Sequence, residues 1–364
     1  MASRRSGAIS NLNRDISVYE VRGMEFYLLN DELQVVGILD RITHAQVTRR
    51  FFAPGSTSVT TAYGVKLPES ARFLFEPAEG SVALIEKVAY PVGGTSVISG
   101  RSAECLFERQ VLKRDGYFNG SVENAVKTVL AAFAVAGNAF PSLEVGNTAG
   151  LPDSAVVRFE WSDLSSWLYA TLGRYGASYR LDTPDGEDHF IFNVVFGTDR
   201  SSLGDGKVVL IREDDASLEE TSFSVDEKGY SNVICVVGND GRYVTVESGE
   251  YDGFDRREGI LQARDIYPAS YETDDGYFDA LRERGKARLA SFSERIIFTG
   301  SATGRGAYVF GRDYFLGDIC ELETKSGKTL ALRVTSVTDV YEKGVRRRSV
   351  RFGGDISSTA VIAD

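Results

Sequence analysis

For most of its length the chain alternates apolar and polar positions over short runs broken by glycine-bearing turns. Alternation of this kind puts every second side chain on one face, which is the pattern of a half-buried strand. From the amino end the runs are Ile16–Val21, Phe26–Leu29, Leu33–Leu39, Arg41–Phe52, Arg72–Phe75, Val82–Tyr90 and Thr95–Ser99. Gly23, Asn30-Asp31, Pro54-Gly55, Gly64, Pro68, Glu79-Gly80 and Gly93-Gly94 separate them. Strands so spaced predict a barrel or sandwich finishing near Gly100. At the other end, Ile319–Thr324, Leu330–Val337 and Val345–Phe352 predict an antiparallel meander, with Ser326-Gly327 and Lys343-Gly344 at turns that need positive φ. Three strands cannot close a barrel. Val208–Ile211 and Ser231–Val237 continue the strand pattern and are expected to complete it.

Between these β-rich ends the period changes from two to 3.6. Val122, Ala125, Val126, Val129, Leu130 and Phe133 recur at helical spacing, with Ser121 placed to cap the start and Gly137 the end. A second helix has Ser162 at its cap, Asp163 at the positive end of the dipole, and Leu164, Trp167, Leu168, Leu172 and Tyr175 on one face before Gly176. Strands Val156–Trp161, Ala177–Leu181 and Phe190–Phe196 flank it, giving an α+β unit that ends at Gly197-Thr198-Asp199-Arg200-Ser201. A third helix runs from about Asp274 to Phe292, with Phe278, Leu281, Leu289 and Phe292 on its apolar face. Its other face, with Arg282, Glu283, Arg284, Lys286 and Arg288, mixes charges and suits solvent or a neighbouring subunit.

A chain of 364 residues, 43% of them hydrophobic, is long enough for about two to three domains with buried cores. Its 41 basic and 52 acidic residues give a net charge of −11, the wrong sign for a surface built to wrap phosphates. Much of the excess lies between Arg212 and Lys228, where Glu213, Asp214, Asp215, Glu219, Glu220, Asp226 and Glu227 face two bases. Cys105, Cys235 and Cys320 are odd in number, widely spaced and set among apolar residues, as buried free thiols would be. Met1 to Asn13 carries Arg4 and Arg5 without the apolar core of a secretory signal, so none is expected, and no apolar run reaches membrane-spanning length.

The search for chemistry assigns no catalytic residue, no cofactor and no metal. His44 and His189 have no second histidine at ligand spacing. Asp182, Asp185, Glu187, Asp188 and His189 surround Pro184-Asp185-Gly186 between two strands, which reads as a polar hairpin turn because the spacing fits no cation loop. Gly300, Gly304 and Gly306 lack the lysine and the following helix of a phosphate cradle and read as a loop. No Gly-x-Ser-x-Gly elbow is present. Trp161, Trp167 and Tyr169 read as core aromatics.

Several phrases nevertheless stand out in series along the chain. They are Ile98-Ser99-Gly100-Arg101-Ser102 with Leu106–Gln110, Phe196–Ser201, Tyr230-Ser231-Asn232-Val233, Gly253–Glu258, Leu281–Gly285 and Gly311-Arg312-Asp313-Tyr314-Phe315-Leu316-Gly317-Asp318. In series they resemble the siphophage tail proteins of the ReqiPepy type, relatives of the baseplate hub of contractile-tailed phages. That resemblance implies a β-rich α+β fold with two antiparallel β-barrels and inserted α+β and helical units. Its segments would be a first barrel at 1–104, an inserted α+β unit at 105–204, a second barrel from 205–248 and 301–354, an inserted helical segment at 249–300 and a tail at 355–364.

The resemblance also implies a homotrimer forming a pseudo-sixfold ring between tail tube and tail tip, made in the host cytoplasm and built into the virion. Its partners would be the tail tube and distal tail proteins, the tape measure protein and the tip or receptor-binding proteins, with DNA passing through unbound. Net acidity then suggests a bore that repels phosphate over about 10 Å. Two rivals are a binder of host carbohydrate or receptor acting through loops such as Pro54–Tyr63, and a cell-wall hydrolase, for which few residues remain after Phe352. The two-barrel plan requires the closing meander to pair within the second barrel and not with the first hundred residues.

Overall fold

The computed structural model describes residues 25–353 and 360–361, apart from 92, 114–115, 136–142, 147–149, 154, 160, 184–188, 213–216, 227–229, 265, 290–294, 303–305, 324–326, 328 and 343. The run Ile16–Val21, Gly137, Phe292 and the turn residues Ser326 and Lys343 therefore lie outside the described residues. The main strands are β1 (Phe26–Leu29), β2 (Val35–Leu39), β3 (Ile42–Arg50), β4 (Ser56–Thr61), β5 (Phe73–Glu76), β6 (Ser81–Ala89), β7 (Ser96–Ser102), β8 (Leu218–Asp226), β9 (Arg295–Ala302), β10 (Ile319–Glu323), β11 (Thr329–Glu342) and β12 (Val345–Gly353). They belong to one 15-stranded sheet in the order β8-β9-β12-β11-β3-β4-β7-β6-β5-β1-β2, with β10 beside β11. Short strands Asp199–Arg200 and Leu210–Arg212 join β10 in parallel, and Ala360–Val361 joins β11.

β11 is where the expected separation into two barrels fails. Its first half pairs with β10, from Thr329↔Glu323 to Arg333↔Ile319. Its second half pairs with β3, from Ser336↔Arg50 to Glu342↔His44. The closing meander is thus joined to the first hundred residues, and the sheet path does not return on itself among the described residues. Alternation fixes which face a side chain takes but not which strand lies alongside. At 14 residues β11 outruns the five of β10, and the backbone groups left over must find another partner.

The expected place of Ser231–Val246 in the second barrel is also corrected. Val233–Gly238 pairs antiparallel with Tyr243–Glu247 and parallel with Glu258–Ala263, in a separate three-stranded sheet. A helix, Asp274–Leu289, covers one face of it, burying Tyr277 and Leu281 against Ile234, Val236 and Val246. Gly285 permits the close approach: a Cβ there would come within 2.6 Å of Val246 and 2.8 Å of Val236. The whole excursion is therefore an insertion between β8 and β9.

The α+β unit carries α1 (Val122–Leu130) and α2 (Leu164–Gly173). Ser121 caps α1 as expected, its Oγ accepting from the Asn124 amide at 3.4 Å. At α2 the cap is Asp163 and not Ser162; Asp163 Oδ1 accepts from the Ser166 amide at 2.8 Å, while Ser162 pairs with Leu112 in a short bridge. The apolar faces read from the sequence meet in one cluster with Tyr179, Phe190 and Phe192. Trp167 is in that core, whereas Trp161 is 66% exposed, against expectation, because it stands just before the helix, outside its packed face.

Candidate functional site

No group of three or more His, Cys, Asp or Glu is arranged to hold a metal among the described residues. His189 Nε2 lies 3.1 Å from Glu144, and Asp182 is taken up by Arg180 and by Asn193 at 2.8 Å; Asp185, Glu187 and Asp188 lie outside the described residues. His44 stands on β3 opposite Thr60 and Glu342. Burial pushes the Cys105 thiol up to about 12, with Glu86 adding to the effect. That removes it as a nucleophile near neutrality. Gly300 packs on Leu218, Gly306 has φ +84°, and Gly304 lies outside the described residues. Pro54–Tyr63, proposed as a contact loop, is mostly β4, a strand held between β3 and β7.

The phrases that stand out in series meet in space, in pairs. Gly197 and Gly317 touch backbone to backbone, so a Cβ on Gly197 would fall 1.6 Å from the Gly317 carbonyl oxygen. Asp318, 4% exposed, accepts from the Thr198 amide at 2.8 Å, the Phe315 amide at 3.0 Å and Arg200 Nε at 2.6 Å. This node ties the end of the α+β unit to the start of β10. Asn232 does the same for its excursion, donating to the Asp255 carbonyl at 2.6 Å and accepting from the Arg257 amide at 2.8 Å. Arg101 forks onto Glu86 at 2.8 and 2.9 Å and reaches Glu108 at 2.6 Å. Its hydrogen bond holds the Glu86 carboxyl below the usual carboxylate range.

Around the join of β11 to β3 the sheet has two unlike faces. One is core, with Val47, Val59, Ile98, Phe298, Val337, Val350 and Phe352 buried. On the other, residues directly opposed across the antiparallel pairs form rows that share a face. One row crosses from β12 to β6 as Arg347, Val340, Gln46, Ser58, Ser99 and Lys87. The next runs Ser349, Thr338, Thr48, Ser56 and Arg101, with the Thr48 and Thr338 hydroxyls 3.0 Å apart. A third is Ser222, Thr299, Arg351, Ser336 and Arg50. These rows are mostly hydroxyls with basic groups; the second continues through Ser301 to Glu219, the row beyond the first sets Glu342 opposite His44, and Arg101 is paired with Glu86.

On the core face, the join is held by charge. Asp339, wholly buried, accepts from Arg49, from Arg346 at 2.8 and 3.1 Å, and from Arg348 at 2.7 and 2.9 Å. The Nη2 atoms of Arg346 and Arg348 that bond Asp339 also donate to Glu79, which lies 3.2 Å from Arg49. Glu76, 2% exposed, accepts from Ser81 at 2.9 Å and Tyr341 at 3.2 Å; burial pushes its carboxyl above the usual range despite the pull of Arg49. Three carboxylates thus face three guanidiniums.

The same plan of strands occurs twice in this sheet. In chain order β3, β4, β6, β7 lie side by side as β3-β4-β7-β6, with β5 against the first half of β6. β8, β9, β11, β12 lie as β8-β9-β12-β11, with β10 against the first half of β11. Even the irregularities match: a bulge at Ile85/Lys87 in β6 corresponds to one at Val334/Ser336 in β11, and Ile42/His44 in β3 to Glu219/Ser222 in β8.

The family of the Siphovirus ReqiPepy6 Gp37-like protein matches residues 25–354, nearly the whole chain. The chain belongs to this siphovirus tail-protein family. It is accordingly a structural phage tail protein and not an enzyme. Solved structures of similar fold include prophage tail protein gp18 from Listeria monocytogenes EGD-e, at 10% identity, TM-score 0.56, covering 92% of this chain and 96% of that one. The 43 kDa tail protein of prophage MuSo2 from Shewanella oneidensis is similar at 12% identity and TM-score 0.56, covering 90% and 98%. The tail protein from Neisseria meningitidis MC58 follows at 11% and 0.55, covering 92% and 97%. No curated protein matches the chain. The tail protein has no helix, among its described residues, long and apolar enough to cross a membrane.

Proposed function

We propose that three copies of this tail protein form a ring at the distal end of the tail, joining the tube to the tip and leaving a passage for DNA. The repeated unit carries the reading. With β3–β7 and β8–β12 built alike and set head to tail in one sheet, three chains supply six like units, the number a sixfold tube calls for. The two barrels of the original expectation become two barrel-like halves sharing a wall, with the α+β unit and the helical excursion outside it. Tail tube, tape measure and tip proteins are then the partners at its two ends.

The hydroxyl rows are the face that suits the passage. Hydroxyls keep a bound water layer and carry no net charge, so a polyanion slides past without a fixed contact. The negative lining suggested by the net charge is diluted there, since Glu342, Glu219 and the Glu86 paired with Arg101 stand among hydroxyls and basic groups. Arg347 and Lys87, at the two ends of one row, are five strand spacings apart, about 24 Å at about 4.8 Å each. That exceeds the screening length of about 8 Å at physiological salt, so they hold phosphate singly and weakly. Gold labelling of the chain on intact particles tests the assignment: the label is expected at the tail tip, and a label on the capsid or along the tube refutes it.

A further inference from the structure

The repeat leaves one half-seam open at each end. Within the chain, the second half of β11 is covered by β3. In the other repeat the second half of β6 has no strand on its outer side among the described residues, and β8 is paired only on the side of β9. Unpaired strand edges attract a matching edge, and the charges and bulges these two carry, Glu86 and Lys87 on β6 and Glu219, Glu220 and Asp226 on β8, restrict them to a partner that matches in register. On the core-side face these edges present apolar side chains: Tyr90, just past β6, is 62% exposed and Val225 on β8 is 43% exposed.

We propose that β6 of one copy pairs antiparallel with β8 of the next, in the register that β11 and β3 use inside the chain. This rests on the ring reading above and adds its edges and its register. The matched bulges fix the alignment. Val337 and Val350 are opposed in one repeat and Val88 and Ile98 in the other, so Val88 corresponds to Val337. Val47 lies opposite Thr57 and that opposite Gly100; Phe223 lies opposite Phe298 and that opposite Phe352, so Val225 corresponds to Arg49. Because Val337 is opposed to Arg49, Val88 of one copy meets Val225 of the next, and Tyr90 meets Phe223. At the position where the internal seam buries Asp339 and its arginines, the seam between copies is apolar. A chain that must fold before it assembles cannot leave an ion cluster half-made at its edge, whereas exposed Val and Tyr are tolerated until covered.

The test uses assembled tails carrying Val88→Cys with Val225→Cys, treated with an oxidant or a short bismaleimide and run on a denaturing gel. Opposed Cβ atoms lie about 4.5–5.5 Å apart, within reach of either reagent. Most of the chain is expected to move to bands of two and three chain masses and no higher, while each single variant stays at one despite the native cysteines. Tyr90→Cys with Phe223→Cys repeats the test should the first pair not assemble. Absence of cross-linking in both, on tails that still hold a threefold ring, overturns the seam but leaves the ring. A ladder running beyond three masses supports the seam and overturns the ring.

Discussion

Asp339→Asn is the substitution that asks most of the join between the two repeats. The carboxylate receives five hydrogen bonds from three arginines and is itself wholly buried. An asparagine keeps the shape, but its amide turns two donors toward guanidiniums that are donors only. The charge balance shifts from three against three to three against Glu76 and Glu79, and the first of these is already inclined to protonate. Removing one partner of a buried ion pair costs about 3–5 kcal/mol. Since the three guanidinium side chains are 17–34% exposed, solvent screens part of the loss and the lower end, about 3 kcal/mol, applies. If the joined sheet melts as a unit of ordinary domain size, this lowers its midpoint by about 6–12 °C. Both tryptophans, Trp161 and Trp167, lie in the α+β unit, so fluorescence would miss the event. Far-UV circular dichroism with hydrogen exchange at the β3 and β11 amides sees it. Asp339→Asn combined with Arg348→Gln should cost less than the two apart, by about 1–3 kcal/mol. A loss below about 0.5 kcal/mol, the scale of a surface substitution, would show that the cluster does not hold the join.

Asp318→Ala strips three donors of their acceptor and leaves Arg200 unpaired, and about 3 kcal/mol should be lost, read as a lower urea midpoint for the α+β unit and the closing strands together. Gly197→Ala puts a methyl 1.6 Å from a backbone oxygen and should yield insoluble chain, while Gly80→Ala, with open space around it and φ +65°, should cost only about 1 kcal/mol in thermal unfolding. Glu76 has its folded pKa raised by burial, so its favourable contribution is full below the usual carboxylate range and fades as pH rises through the raised value. The melting temperature of Glu76→Gln relative to the parent should therefore rise between pH 4 and pH 7 (roughly the carboxylate window); a fall would reverse the assigned cause.

What could be read from the residues was local. The alternation in Arg41–Phe52 and Val345–Phe352 located strands, and the spacing of Val122 to Leu130 located a helix with its serine cap, because face and cap are settled within one element. Lateral partners were not legible: nothing in Thr329–Glu342 says that its first half seeks β10 and its second half β3. The phrases Leu316-Gly317-Asp318 and Gly197–Ser201 were legible as a series, but only the fold shows that they are two halves of one hydrogen-bonded node. The repeat was hidden altogether, since strand order and bulges recur while the side chains do not, Val59 in one unit standing where Gly300 does in the other. Net charge misled about the polar face, because the acids there, Glu342, Glu219 and Glu86, are interspersed with hydroxyls and basic groups.

A reconstruction of the tail tip from imaged particles, computed without imposed symmetry, tests the account most directly. The account predicts three copies around the axis, an inner wall to which each contributes eight consecutive strands from β8 to β6, and the Gln46, Ser58 and Ser99 row turned to the lumen. Six copies, or that row turned outward with Val47 and Ile98 toward the passage, would contradict it.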